Sequence, residues 1–136
     1  MGALFETHIK KESDSTFINR LPPWRSEDNF IANESGRILV FWDPSLSVVI
    51  YHKSDQMIMC GVFVPQLQHY FTVSFIYAFN CHLLWQELAD LRGSSPTSSR
   101  PWILAGDLTK SLVNTSTRQF PKLSPLLPAC RRCEVV

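Results

Sequence analysis

The stretch His69–Asp107, HYFTVSFIYAFNCHLLWQELADLRGSSPTSSRPWILAGD, passes through three periods in succession. Residues 70–77 alternate, with Phe71, Val73, Phe75 and Tyr77 on one side and Tyr70, Thr72, Ser74 and Ile76 on the other, as in a strand with one half-polar face. Asn80 then stands where a helix N-cap belongs. Leu84, Leu88 and Leu91 recur at i, i+4 and i+7 beside Trp85, which predicts an amphipathic helix over 81–92 closed by Gly93. GSSPTSSR reads as a loop, and PWILAGD as a short buried strand near 102–106. Strand, helix, strand in this order is a βαβ-like unit, and it sets the fold class as mixed α/β (α+β). In such folds ligands and catalytic groups gather just past the carboxyl ends of strands, so Asp107 is either a site carboxylate or the start of a turn.

Upstream, GALFETHIK reads as a short strand near 3–8, and KKESDSTFINRLPPWRSEDN as a polar connection with a helical turn before Pro22-Pro23. RILVFW is stopped by Asp43-Pro44, SVVIYH follows, and QMIMCGVFV ends at Pro65. These have strand lengths, near 37–42, 46–52 and 56–64, and their short connections predict one antiparallel meander. Beyond Asp107 the chain carries Pro121, Pro125 and Pro128 and no sustained period. Residues 110–136 are therefore expected to be an irregular or disordered tail to a domain spanning 1–109.

The 136 residues are 45% hydrophobic and only 18% charged, with nine Phe and four Trp, a composition that folds as one globular domain. A net charge of +1 and a pI near 7.7 leave no broad field that demands nucleic acid, an anionic membrane or an acidic partner. The apolar run in MGALFETHIKKE is too short for a signal peptide, and no later run approaches the roughly 18 residues of a spanning helix. An intracellular protein without a membrane segment is expected, with nucleus and cytoplasm both open. Glu6 occupies the position where a myristoylation motif needs Ser or Thr. Cys60 and Cys81 lie in apolar segments and read as reduced core thiols. Cys130 and Cys133, in CRRC, have the spacing of half a zinc site, but no second pair follows, so they read as exposed thiols beside two arginines.

Five blocks, LFETH, NESGRILVFWDP, SDQMIMCGV, FTVSFIYAFNCHLLWQELADL and PWILAGDLT, together and in this order resemble the endonuclease/exonuclease/phosphatase superfamily. Within it they are most similar to the endonuclease part of plant LINE-type retroelements, over roughly residues 3–109. The resemblance implies a two-sheet α/β sandwich of mostly antiparallel strands with a flanking helix, a magnesium ion, and hydrolysis of phosphoester bonds, with DNA as the favoured substrate. It also implies that Glu6 binds the metal, that Tyr77 and Asn80 contact phosphate, and that Asp107 lies beside the nucleophilic water. These residue types suit that chemistry. Magnesium takes hard oxygen ligands and keeps several waters, a second carboxylate orients the attacking water, and Tyr and Asn donate to oxygens that gain charge.

The pattern also departs from the family. GDLT puts Thr109 where the motif has asparagine, and removing one preorganised donor costs ~10²–10³ in rate. The family's Asp-His pair and its opening strand have no counterpart, and His8, His52, His69 and His82 all precede Asp107. Lost general acid–base help costs a further ~10²–10⁴. The expected function is thus a degenerate, truncated phosphodiesterase-like domain. As an isolated chain it would be inactive, would hold magnesium weakly through Glu6, and would self-associate through unpaired sheet edges. The competing reading is an active magnesium-dependent endonuclease acting on DNA, with the missing groups supplied by a partner chain. In both readings Glu6 and Asp107 should lie on neighbouring strands at one end of the sheet, facing a common opening with Tyr77 and Asn80.

Overall fold

The Asp43-Pro44 stop marks a change of sheet. In the computed structural model, which describes residues 1–7, 23–30, 38–94 and 97–107, β1 (Gly2–Phe5), β2 (Arg25–Asp28) and β3 (Ile38–Trp42) form an antiparallel sheet in the order β1-β3-β2. A second sheet, in the order β4-β5-β6-β7, holds β4 (Ser47–Lys53), β5 (Met57–Val64), β6 (His69–Tyr77) and β7 (Trp102–Asp107). Its β4–β5 and β5–β6 pairs are antiparallel, and β6–β7 is parallel with α1 (Cys81–Arg92) in the crossover. The fold is mixed α/β: two sheets of mostly antiparallel strands and, among the described residues, one helix. Among the described residues no helix is long and apolar enough to cross a membrane.

The βαβ-like unit of residues 70–107 is present as read, but three expectations need correction. The meander runs β4-β5-β6, and β3 belongs to the other sheet. An interior strand bonded on both sides suits the apolar run ILVFW: Val40 pairs with Ala3 on one side and Glu27 on the other. The chain then turns at Asp43, whose Oδ1 accepts from the Ser45 N–H at 2.8 Å while Leu46 N–H donates to the Asp43 carbonyl at 3.0 Å. The same Ser45 N–H holds the Asp43 carboxyl below its ordinary range.

Second, RSED, read as part of a polar connection, is β2. Its composition disfavours a strand, yet as an edge it satisfies the second side of β3, and its charge is met by an ion pair of Glu27 with Lys53 Nζ at 2.5 Å. Third, the half-polar face of β6 is covered from Thr72 onward, where Thr72, Ser74 and Ile76 are fully buried, while Tyr70 on the same face stays half exposed. Trp102 Nε1 donates to Ser74 Oγ at 3.0 Å, which makes burial of that hydroxyl tolerable.

Two cores follow from this layering. Between the sheets lie Ile38, Val40 and Trp42 of β3, Ile58, Cys60 and Val62 of β5, and Val73, Phe75 and Tyr77 of β6. On the outer face of the four-stranded sheet, Met57, Met59, Ile76 and Trp102 pack under Leu84 and Leu88 of α1. Asn29, 1% exposed, joins the sheets: its Oδ1 accepts from Ile38 N–H at 3.0 Å, and its Nδ2 donates to the carbonyls of Ser54 and Asp55, each at 3.1 Å.

Cys60 sits in the inter-sheet core as a free thiol, as expected. Burial, with a smaller contribution from the charge of Glu27, pushes that thiol from 9.0 up to about 12. The native protein should therefore resist alkylation at Cys60 and react once unfolded. The sign of the pH effect follows. Above about 9 the unfolded thiol releases its proton while the folded one keeps it, so stability falls as pH rises from 9 toward about 12. Urea unfolding of the wild type against Cys60→Ala across that window measures this contribution, and a difference that does not change with pH would contradict it.

Candidate functional site

Tyr77, Ala78, Phe79 and Asn80 carry the chain from β6 into α1, and Gln56 shapes that passage. Gln56 is 1% exposed and its Oε1 accepts from two successive backbone donors, Phe79 N–H at 3.0 Å and Asn80 N–H at 2.6 Å. Its own carbonyl accepts from Tyr77 N–H at 2.9 Å. One buried side chain thus fixes where β6 ends and α1 begins.

Asn80 is the helix N-cap. Its Oδ1 accepts from Leu83 N–H at 3.3 Å, and its carbonyl accepts from Leu84 N–H at 3.0 Å. Tyr77 is a core residue with a polar tip: its ring belongs to the inter-sheet cluster, it is 2% exposed, and its O–H donates to Glu6 Oε1. Glu6 follows β1 with φ 55°, in the left-handed region where a non-glycine residue is strained by about 1–3 kcal/mol. The hydrogen bond from Tyr77 helps to offset that cost and sets the direction of the carboxylate.

Asp107 ends β7 in parallel register with Tyr77, and Ala78 N–H donates to its carbonyl at 3.0 Å. Ile103 and Ala105 face the inter-sheet core, and alternation along the strand puts Asp107 on that same side, half-buried. Gly106 allows this close approach. Its φ is 140°, and a Cβ there would come within 1.9 Å of the Ile76 carbonyl oxygen of the paired strand.

Glu6, Tyr77 and Asp107 therefore meet at the carboxyl ends of β1, β6 and β7. The expectation of neighbouring strands is corrected: β1 and β7 belong to different sheets, and Tyr77 bridges the sandwich between them. Asn80 lies at the same end with its side-chain oxygen used as a cap. Thr109, Cys130, Cys133 and the whole of 110–136 lie outside the described residues.

The donor chemistry at this end fits a hydrated hard cation. Magnesium is held by as few as one or two carboxylates and keeps several waters, and an exposed Glu6 with a half-buried Asp107 supplies that number. A more complete protein cage is absent among the described residues, where no group of three or more His, Cys, Asp or Glu side chains could hold a metal ion.

Sequence reasoning did not find Gln56 or Asn29. Gln56 reads as the first residue of a strand and Asn29 as the end of a polar connection, and only the long-range partners they meet reveal their roles. Gly106 carried a signal, a glycine one step before a carboxylate at the end of an apolar strand. Compared with protein-family models, curated proteins and solved structures, the chain matches none.

Proposed function

We propose that this chain carries a degenerate metal-dependent phosphoesterase domain of the endonuclease/exonuclease/phosphatase type, which does not turn over as an isolated chain. The observation that carries the reading is the hydrogen bond from Tyr77 to Glu6, with Asp107 in register beside Tyr77. Residues far apart in sequence, selected by resemblance to one site, converge on one end of the fold. The strained backbone of Glu6 supports the same reading, since such strain persists where surrounding contacts over-determine it and concentrates at functional sites.

In this reading Glu6 is the metal-binding carboxylate, held in direction by Tyr77. Asp107 orients a water from the facing sheet. Asn80, its oxygen engaged by the cap, keeps its amide N–H groups to donate to a phosphoryl oxygen. Magnesium, when bound, supplies charge neutralisation at the phosphoryl group. Two features weigh against turnover. Thr109 replaces the carboxamide of the family pattern, and His52, the histidine of β4, is committed elsewhere. His52 pairs with Glu87 on the helix side of the sheet, the face opposite Tyr77, and Ser54 Oγ donates to the other oxygen of the same carboxylate at 3.1 Å. Groups that act as a unit lose most of their effect when one member goes.

The test is incubation of the protein with supercoiled and abasic-site DNA plus magnesium, beside Glu6→Gln. The expected result is no cleavage above background in either. Cleavage by the wild type that disappears in Glu6→Gln would overturn the inactive reading and favour the active endonuclease.

A further inference from the structure

β4 is the outer strand of its sheet. Among the described residues it is bonded on one side only, to β5, which leaves the backbone N–H and C=O groups of its other edge open to pairing. Its sequence, SVVIYHK, is rich in β-branched and aromatic strand formers. Val48 and Ile50 pack against the rim of the inter-sheet core, while Val49 between them stands on the outer face, 54% exposed.

Natural edges are commonly protected by a charge, above all a lysine, that projects past the strand. Here the ionisable groups at the end of β4 are turned back onto their own chain. Lys53 Nζ pairs with Glu27 and donates to the Asp28 carbonyl at 2.9 Å, and His52 pairs with Glu87 of α1. Tyr51 is drawn inward as well. Its ring lies so close over Gly61 of β5 that a Cβ there would come within 2.2 Å of Tyr51 Cε2, and its hydroxyl accepts from Arg100 Nη1 at 3.4 Å. The edge from Ser47 to Ile50 is left uncharged and in regular register, which shifts only between Ile50 and His52.

We propose that β4 pairs antiparallel with β4 of a second copy of this chain, about a two-fold axis through Val49. Residues opposite each other on antiparallel strands share a face, so such an axis falls on a residue and not between two. Through Val49 it sets Val49 against Val49 on the outer face, Val48 against Ile50 over the core, and Ser47 against Tyr51. Through Ile50 it would oppose Val48 with His52, whose ring Glu87 holds on the helix side. Through Val48 it would leave Tyr51 without a partner. Pairs of β-branched residues and the completed ladder supply the attraction, and a net charge of +1 leaves little repulsion between copies. A foreign strand offers the same backbone groups, but a second copy also matches Val48 with Ile50 twice, by symmetry. A ladder this short makes a small interface, so the dimer is a reversible one. The general expectation of association through unpaired edges narrows to this strand and register, and it holds whether or not the Glu6–Tyr77–Asp107 end turns over.

Sedimentation velocity and light scattering over a concentration series test it. The wild-type mass should rise from 15.6 kDa toward twice that value as concentration increases through the micromolar range. Val49→Lys and Val49→Glu should each stay monomeric, because an axis through residue 49 sets like charges face to face. An equimolar mixture of the two should recover the dimer, since the same axis then opposes Lys with Glu, and no loss of folding imitates that recovery. Val49 is exposed, and circular dichroism checks that both variants fold. A wild type that stays at 15.6 kDa throughout, a dimer that survives in folded Val49→Lys, a mixture that stays monomeric, or growth past the dimer would overturn the proposal.

Discussion

Gln56→Ala should lower the unfolding free energy by about 3 kcal/mol or more. Gln56 Oε1 accepts from the N–H groups of Phe79 and Asn80 from a position only 1% exposed, and truncation removes that acceptor. Each lost hydrogen bond costs about 0.5–1.5 kcal/mol at this partly exposed turn, and the buried volume left empty adds about 2 kcal/mol or more. Gln56→Met separates the two contributions, because it restores most of the volume without an acceptor. It should therefore recover about the 2 kcal/mol of the emptied volume and keep the loss of the hydrogen bonds. Urea unfolding measures both, and a loss below about 1 kcal/mol in Gln56→Met would show that the turn into α1 holds without its acceptor.

A loss of similar size, about 3 kcal/mol or more, is expected for Asn29→Ala. Here one side chain serves Ile38 N–H in the three-stranded sheet and the carbonyls of Ser54 and Asp55 at the β4–β5 turn of the other. Removing it deprives both sheets of partners at their junction, so the transition should also lose cooperativity. Asn29→Asp sharpens the test. It keeps an acceptor for Ile38 N–H but sets a carboxylate oxygen against two carbonyl oxygens, so it should be no more stable than Asn29→Ala. Recovery of wild-type stability by Asn29→Asp would mean that only the Ile38 contact matters.

These two residues also show where the sequence stops being informative. The alternation in residues 70–77, the leucine spacing of the helix, the Asn80 cap and the run before Gly106 are local patterns, and the βαβ-like unit built from them is present. Partner choice is not local. ILVFW and SVVIYH are both good strands a few residues apart, and nothing in either run tells that the turn at Asp43 sends them to different sheets. RSED becomes a strand only because β3 offers it an edge, against its own propensity. The candidate site follows the same division. Asp107 was marked by its place after an apolar strand, whereas the contact between Tyr77 and Glu6 joins residues 71 positions apart and is visible only once the two sheets are packed.

Under the function we propose, Glu6, Tyr77 and Asp107 form one end of a phosphoesterase-like cleft that keeps a weak hold on magnesium. The most direct measurement is a magnesium titration followed by NMR on the isotope-labelled protein and on Glu6→Gln. The predicted result is a set of saturable shifts confined to Glu6, Thr7, Tyr77 and Asp107, lost in Glu6→Gln while the rest of the spectrum is unchanged. Absence of shifts at these residues, or shifts that survive Glu6→Gln, would contradict it.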